Sequence, residues 1–165
     1  ILEIEFDGTV MDSFPMQIGN ISKITVKEQG EDIAGLYRTV VKDLFEVDPG
    51  LNDNIQRIAF DLSKVSNLKD TEKTALIYSL GNTFGLEAIS GTFDELSEQG
   101  YIDKENLYFE TGILIIIEDT PIENNGFTFD AHKWRSGTGA YFYNDCEAIK
   151  TNNGWTYTIG SEAIS

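Results

Sequence analysis

From Gly126 to Ser165 the chain alternates apolar and polar residues in three runs, FTFDAHKW, AYFYNDCEAIK and WTYTIGSEA, with SGTG and TNNG between them. Successive side chains on a strand point to opposite faces, so runs like these predict antiparallel strands joined by tight turns. The alternation also fixes a register. With Phe129 opposite Cys146, Ala131 meets Asn144 and Lys133 meets Phe142, and the core side carries Phe127, Phe129, Ala131, Phe142, Cys146 and Ala148. A one-residue slip would place Phe129 opposite Glu147 and mix the two faces. Asn153-Gly154 is read as the next hairpin turn, which sets Ile159 opposite Ala148 and brings Tyr157 to the same side.

This register gathers a candidate site on the outer face. Asp130 pairs with Asp145 and His132 with Tyr143, with Trp134 and Tyr141 beside them and Arg135 at the rim. Aromatic rings supply contact area and charged groups supply orientation, which suits ligand binding. The same face offers an alternative, acid–base chemistry by Asp130, His132 and Asp145, because facing carboxylates raise one pKa and histidine titrates near neutrality. An exposed sheet face with aromatic cross-strand pairs also accounts for the pattern. Cys146 points to the opposite side from His132, so a Cys–His nucleophilic pair is not expected, and Cys146 reads as a small buried hydrophobe.

Weaker signals lie elsewhere. Gly137-Thr138-Gly139 beside Lys133 and Arg135 is a small basic corner that reads first as a hairpin turn. Asp48, Asn52, Asp53 and Asn54 are oxygen donors in one loop, without EF-hand spacing, and turn chemistry explains all four. Asn20-Ile21-Ser22 fits a glycosylation acceptor. No GxxxxGK[ST], GxSxG, HExxH or CxxC occurs in the sequence.

The 165 residues suit a single domain. A net charge of −16 repels phosphate backbones and anionic lipid, so neither nucleic acid nor a membrane surface is an expected partner. One cysteine and one histidine exclude an internal disulfide and a zinc site built from several such ligands; no metal and no cofactor is expected. No apolar run reaches membrane-spanning length.

Upstream of the meander the period changes. LEIEFDGTVM and ISKITVKEQ predict two N-terminal strands. Ile33, Leu36, Tyr37, Val40, Val41 and Leu44 share one face of a helix over residues 31–47, ended by Asp48-Pro49-Gly50. A strand follows near Ile55–Ser63, then a helix near Leu68–Phe84 with an Asn67/Asp70 cap and Gly85 at its end, and a short strand at Leu86–Ser90. Thr92-x-x-Glu95 opens a short helix that stops near Gly100. Leu107–Phe109 and Ile113–Asp119 flank Thr111-Gly112 as an expected hairpin. The sum is an α+β domain, an antiparallel sheet with two to three helices on one face, whose element order is similar to cystatin-like or NTF2-like cone folds.

KDLFEVDPGLNDNI (Lys42–Ile55), SGTFDELSEQGYID (Ser90–Asp103), KWRSGTGAYF (Lys133–Phe142) and GWTYTIGSEAIS (Gly154–Ser165) together resemble a group of uncharacterised bacterial proteins with exported or lipoprotein-like N-termini. The resemblance implies an extracytoplasmic domain and carries over no catalytic residue. A start at ILEIEF, without Met, suits a removed leader or excision from a longer chain, with membrane anchoring through an upstream segment and a cytoplasmic location as the alternative. The leading expectation is a non-enzymatic extracytoplasmic domain that binds a small ligand or a protein. The alternatives are a small cone-fold enzyme using Asp130, His132 and Asp145, and an acidic module that recognises a basic partner.

Overall fold

Helix α1 (Ile33–Glu46) forms where the 3.6-residue spacing predicts it, and Leu36, Tyr37, Val40, Val41 and Leu44 are all buried. Asp32 caps it, its carboxylate accepting from the Gly35 N–H at 2.7 Å. The structure is a computed structural model that describes residues 2–6, 9–14 and 32–165, with side chains described from residue 32 onward. The first predicted strand, Leu2–Met11, proves to be two, β1 (Leu2–Phe6) and β2 (Thr9–Phe14), paired antiparallel; the second run, at residues 21–29, and Asn20-Ile21-Ser22 lie outside the described residues.

The remaining elements follow in the order β3 (Arg57–Lys64), α2 (Asp70–Phe84), β4 (Glu87–Ser90), α3 (Phe93–Glu98), β5 (Gly112–Asp119), β6 (Gly126–Ser136), β7 (Gly139–Thr151), β8 (Gly154–Thr158) and β9 (Ser161–Ile164). A 3₁₀ turn, Pro49–Asn52, separates α1 from β3. The strands make one seven-stranded sheet ordered β4-β3-β5-β6-β7-β8, with β9 also beside β7. The domain is α+β, and its C-terminal part is the expected meander.

Several features differ from the sequence reading. The sheet is mixed, because β3 pairs parallel with both β4 and β5. Parallel strands are covered on both faces, and here Ile58, Ala59 and Phe60, like Ile113, Leu114 and Ile115, are buried without alternation. The helices accordingly occupy both faces. Helices α1 and α2 pack with Ile58, Phe60, Ile115, Phe129 and Cys146 on one face. On the other, Leu96 of α3 joins Ala59, Ile102, Phe109 and Leu114. The expected hairpin around Thr111-Gly112 does not form. Asp103 instead draws residues 103–108 into a turn, accepting from the N–H groups of Glu105 and Asn106, and Phe109 folds under β5. Gly112 makes room for that ring, since a Cβ there would lie 2.5 Å from Phe109.

Local signals account for the helix ends. Thr92 and Glu95 form the predicted reciprocal cap of α3, and Gly85 ends α2 at φ 65°. The cap of α2 is different: Glu72 accepts from the Lys69 N–H at 2.7 Å, while Asn67 is engaged elsewhere. Its amide donates to Asp119, at the end of β5, at 2.9 Å. Asp119 also accepts from the Ser66 N–H at 2.6 Å and from the Tyr37 hydroxyl at 2.5 Å. One carboxylate therefore ties the β3–α2 connection, β5 and α1 together.

Lys133 departs furthest from the expected pattern. It lies mid-strand in β6, its side chain is wholly buried, and its ammonium donates to the backbone carbonyls of Phe45, Val47 and Asp48. These carbonyls belong to the C-terminal end of α1 and the residues just after it, where an α-helix leaves acceptors unsatisfied and the dipole favours a cation. Burial draws the Lys133 pKa down to about 8, opposed by the Asp48 carboxylate, so the group remains protonated at neutral pH. Lys133→Met keeps the length and removes the donors. It should cost about 1–3 kcal/mol in urea unfolding, the range set by an orphaned buried carbonyl, because Phe45 and Asp48 keep donors in Asn52 and the Leu51 N–H while Val47 loses its own.

Tyr37 makes a second prediction. Burial first, then the Asp119 hydrogen bond, raise its phenol well above the ordinary value. The fold keeps the proton that the unfolded chain releases above pH ~10, so stability falls as pH rises past that point. Tyr37→Phe should lessen this loss by up to about 1.4 kcal/mol per pH unit in urea titrations between pH ~9 and ~11.

Candidate functional site

Strand alternation puts Thr128, Asp130, His132 and Trp134 of β6 on the face away from α1, as the sequence predicts. Phe129 sits opposite Cys146, also as predicted. Beyond that point the register changes. Between Phe129 and Ala131 β6 advances two residues while β7 runs three, from Cys146 to Tyr143, and a second irregularity at Arg135 restores the pairing at Ser136–Gly139. The stretch between the two bulges is slipped by one residue. Ala131 therefore faces Tyr143, His132 faces Phe142 and Lys133 faces Tyr141.

This slip corrects the expected site. Tyr143 is buried and Tyr141 packs against the same core, on the α1 side of the sheet, with their rings edge to face at 5.9 Å. Phe142, expected in the core, lies on the other face. Its ring meets His132 at 4.9 Å. Burial raises the Tyr143 phenol to about 12. Neither tyrosine shares a surface with Asp130, His132 and Trp134.

The bulge itself is built from Asp145 and Gly160. Asp145 holds a left-handed φ of 53°, and its N–H donates to the Asp130 carboxylate at 2.8 Å. β7 bends there, and its outer edge is shared by two short strands: β8 pairs with Glu147–Thr151 and β9 with Tyr141–Asn144. The SGTG and TNNG turns prove to be two-residue loops, so Tyr157 rather than Ile159 lies opposite Ala148. Gly160 carries the chain between β8 and β9 against the bulge. A Cβ at Gly160 would lie 2.4 Å from the Asp145 carbonyl oxygen, well inside contact distance.

The other predicted residues have structural partners. Arg135 donates to the carbonyls of Leu51, Asp53 and Glu110 at 3.0, 2.7 and 3.2 Å, so it clamps loops rather than rims a site. With Lys133 buried as well, the basic corner beside Gly137-Thr138-Gly139 has no free cation. Trp134 packs edge to face on Phe93 at 5.2 Å, beneath α3. His132 pairs with the side-chain oxygen of Asn144 at 3.2 Å, and Asp130 accepts from backbone, so the three acid–base candidates form no hydrogen-bonded set. Cys146 is buried as expected, and burial lifts its thiol to about 11, far from a nucleophile. Asn52 donates to the Phe45 carbonyl at 2.6 Å, as turn chemistry predicts for that loop. Among the described residues no group of three His, Cys, Asp or Glu side chains could hold a metal ion, and no helix is long and apolar enough to cross a membrane.

What remains on this face is an acid-lined hollow. Helix α3 and its following loop cover the half of the sheet around Leu114 and Trp134. The uncovered half forms a concavity of about 410 Å³ lined by Glu118, Asp130, Asp145 and Glu147, with Thr128 between them. Lys64 pairs with Glu118 at 2.5 Å; Asp130, Asp145 and Glu147 have no ion-pair partner among the described residues. Sequence reasoning found Asp130 and Asp145 but missed Glu118, because its strand, β5, was expected to pair with Leu107–Phe109 and pairs instead with β6, where Glu118 lies opposite Asp130.

A second cleft, of about 360 Å³, opens at the carboxyl ends of β3 and β4, lined by Phe60, Leu62, Ile77 and Ala88 with Asp61, Asp70, Lys73 and Glu95 around them. The strand–helix–strand pattern over residues 57–90 is the signal that points to it, because ligands of parallel sheets gather at the carboxyl ends of strands. Comparison with protein-family models, with curated proteins and with solved structures finds no match for this chain.

Gly160→Ala should destabilise the chain by about 1–3 kcal/mol, the usual range for forced overpacking. The loss should be visible in thermal unfolding, with amide shifts centred on Asp145.

Proposed function

We propose that this chain is a non-enzymatic, extracytoplasmic binding domain whose open sheet face takes a cationic group. The observation that carries the reading is the hollow lined by Glu118, Asp130, Asp145 and Glu147, of which, among the described residues, only Glu118 has an ion-pair partner, Lys64. Carboxylates converging on a concave, partly desolvated surface raise the local concentration of cations and strengthen their binding. A net charge of −16 adds a long-range attraction of the same sign. The sequence resemblance to exported proteins supports the extracytoplasmic location. The acid–base alternative has less support, because its histidine bonds to a neutral amide.

Spermine serves as the cationic probe. Isothermal titration should show binding that weakens as salt rises. The triple variant Asp130→Asn, Asp145→Asn, Glu147→Gln should weaken it at least about tenfold, equivalent to ~1.4 kcal/mol. Asn tolerates the left-handed conformation at 145, so the bulge is retained. Equal affinity in the variant would overturn the reading.

A further inference from the structure

We propose that the free edge of β4 and the groove beside it accept an extended basic and apolar segment of a partner protein by strand addition. Among the described residues, strand β4 is the last strand of the sheet on its side and pairs only with β3. The N–H groups of Glu87 and Gly91 donate to the Gln56 and Phe60 carbonyls of the β3 side, each at 3.1 Å. Alternation along a strand therefore turns the N–H and C=O groups of Ala88 and Ser90 away from β3. Among the described residues nothing hydrogen-bonds to them. A row of unpaired backbone groups is a template for another strand, and proteins blunt such edges with short strands, charged side chains, Pro, bulges or a covering element. The β4 sequence, EAIS, is short and carries the charge of Glu87, but it has no Pro and no Lys, and its outward backbone positions at Ala88 and Ser90 bear small side chains.

The surroundings fit an extended chain better than a compact molecule. The cleft of about 360 Å³ at the carboxyl ends of β3 and β4 shares Thr74, Ile77 and Ala88 with a second hollow of about 340 Å³ that reaches Tyr78 and Leu86. The two make one groove along the outside of β4, floored by Ile77 and Ala88. Tyr78, 71% exposed, stands on its wall. Main-chain pairing to Ala88 and Ser90 would place alternate side chains of an added strand over this apolar floor. Charge selects the occupant. Asp61, Asp70, Glu87 and Glu95 line or flank the groove against Lys73, and among the described residues only Glu87 of these has an ion-pair partner, Arg57. A second copy of this acidic chain would be repelled there, whereas a segment alternating Lys or Arg with aliphatic residues is complementary.

The test uses the whole chain and a capped hexapeptide alternating Lys and Val, followed by amide NMR and hydrogen exchange. Binding should shift the Ala88, Ser90 and Ile77 resonances and slow exchange of the Ala88 and Ser90 amides at least about tenfold. The same peptide N-methylated on alternate backbone nitrogens should bind at least about tenfold more weakly, which isolates main-chain pairing from charge. Ser90→Pro removes an outward N–H at an edge position that tolerates proline, and should weaken binding by a similar factor. If Ser90→Pro does not fold, the N-methylated peptide still decides the question. The triple variant of the acid-lined hollow should bind the hexapeptide unchanged, so loss of spermine binding and loss of peptide binding report on different surfaces. No binding at millimolar peptide, equal binding of the N-methylated peptide, binding lost in the triple variant, or self-association through β4 would each overturn the proposal.

Discussion

Lys133 holds the two layers of this domain in register. A helix can pack on a sheet in many ways if only apolar area is at stake, because burial is non-directional. Three carbonyls at the end of α1 converging on one ammonium from β6 are directional. They fix the height of α1 along the sheet, end the helix, and make a wholly buried lysine tolerable in the core. Two residues on, Arg135 does the same for the next piece of chain, gathering the carbonyls of Leu51, Asp53 and Glu110. The KWR sequence is thus one device: two cations on one face of the strand bind the α1–β3 connection, and Trp134 on the other packs beneath α3.

The same logic runs with opposite sign at the far end of the sheet. Asp119 receives N–H and O–H donors from Ser66, Asn67 and Tyr37. Tyr157 adds a further tie to α1 by donating to Asp43 at 2.5 Å. Each is a polar group inside or at the margin of the core with its partners supplied, which is what lets buried polar groups specify an arrangement instead of weakening it. These contacts leave α1 and α2 little freedom, and so settle which parts of the sheet stay open.

Much of this was legible in the sequence, and the failures share a cause. The α1 face, the Thr92–Glu95 cap, Gly85 as a helix end, and Phe129 opposite Cys146 all rest on local spacing, and all are found. The slip around residues 140–143 was not visible, because Tyr141, Phe142 and Tyr143 are all large and aromatic and either register buries rings. What decides it is the left-handed Asp145 and the close approach of Gly160, residues separated in sequence. Lys133 was read as part of a basic corner beside the Gly137-Thr138-Gly139 turn, because its acceptors, at the end of α1 and just after it, are remote in sequence. The parallel pairing of β3 with β4 and β5 was missed for a related reason: a short apolar run does not say how many faces are covered. Asp130 and His132 were placed correctly, yet the site they were assigned to dissolved when Tyr141 and Tyr143 moved to the core.

The cations also explain why the open surfaces are acidic in effect as well as in count. The chain has 12 Lys and Arg against 28 Asp and Glu. Lys133 and Arg135 are occupied by backbone, while Arg57, Lys64 and Lys104 are paired with Glu87, Glu118 and Asp94. Structural demands thus draw several of the scarce bases inward or into pairs. The carboxylates that line the uncovered half of the sheet and the β4 groove keep most of their charge unbalanced. Among the described residues, the concave parts of the surface are therefore short of paired cations. Helix cover sets the locations, since α3 and its loop shield one half of the second face and leave the other, and among the described residues no strand lies beyond β4. Where carboxylates stay open on this fold is therefore a matter of where cover ends and where the interior has already claimed the bases.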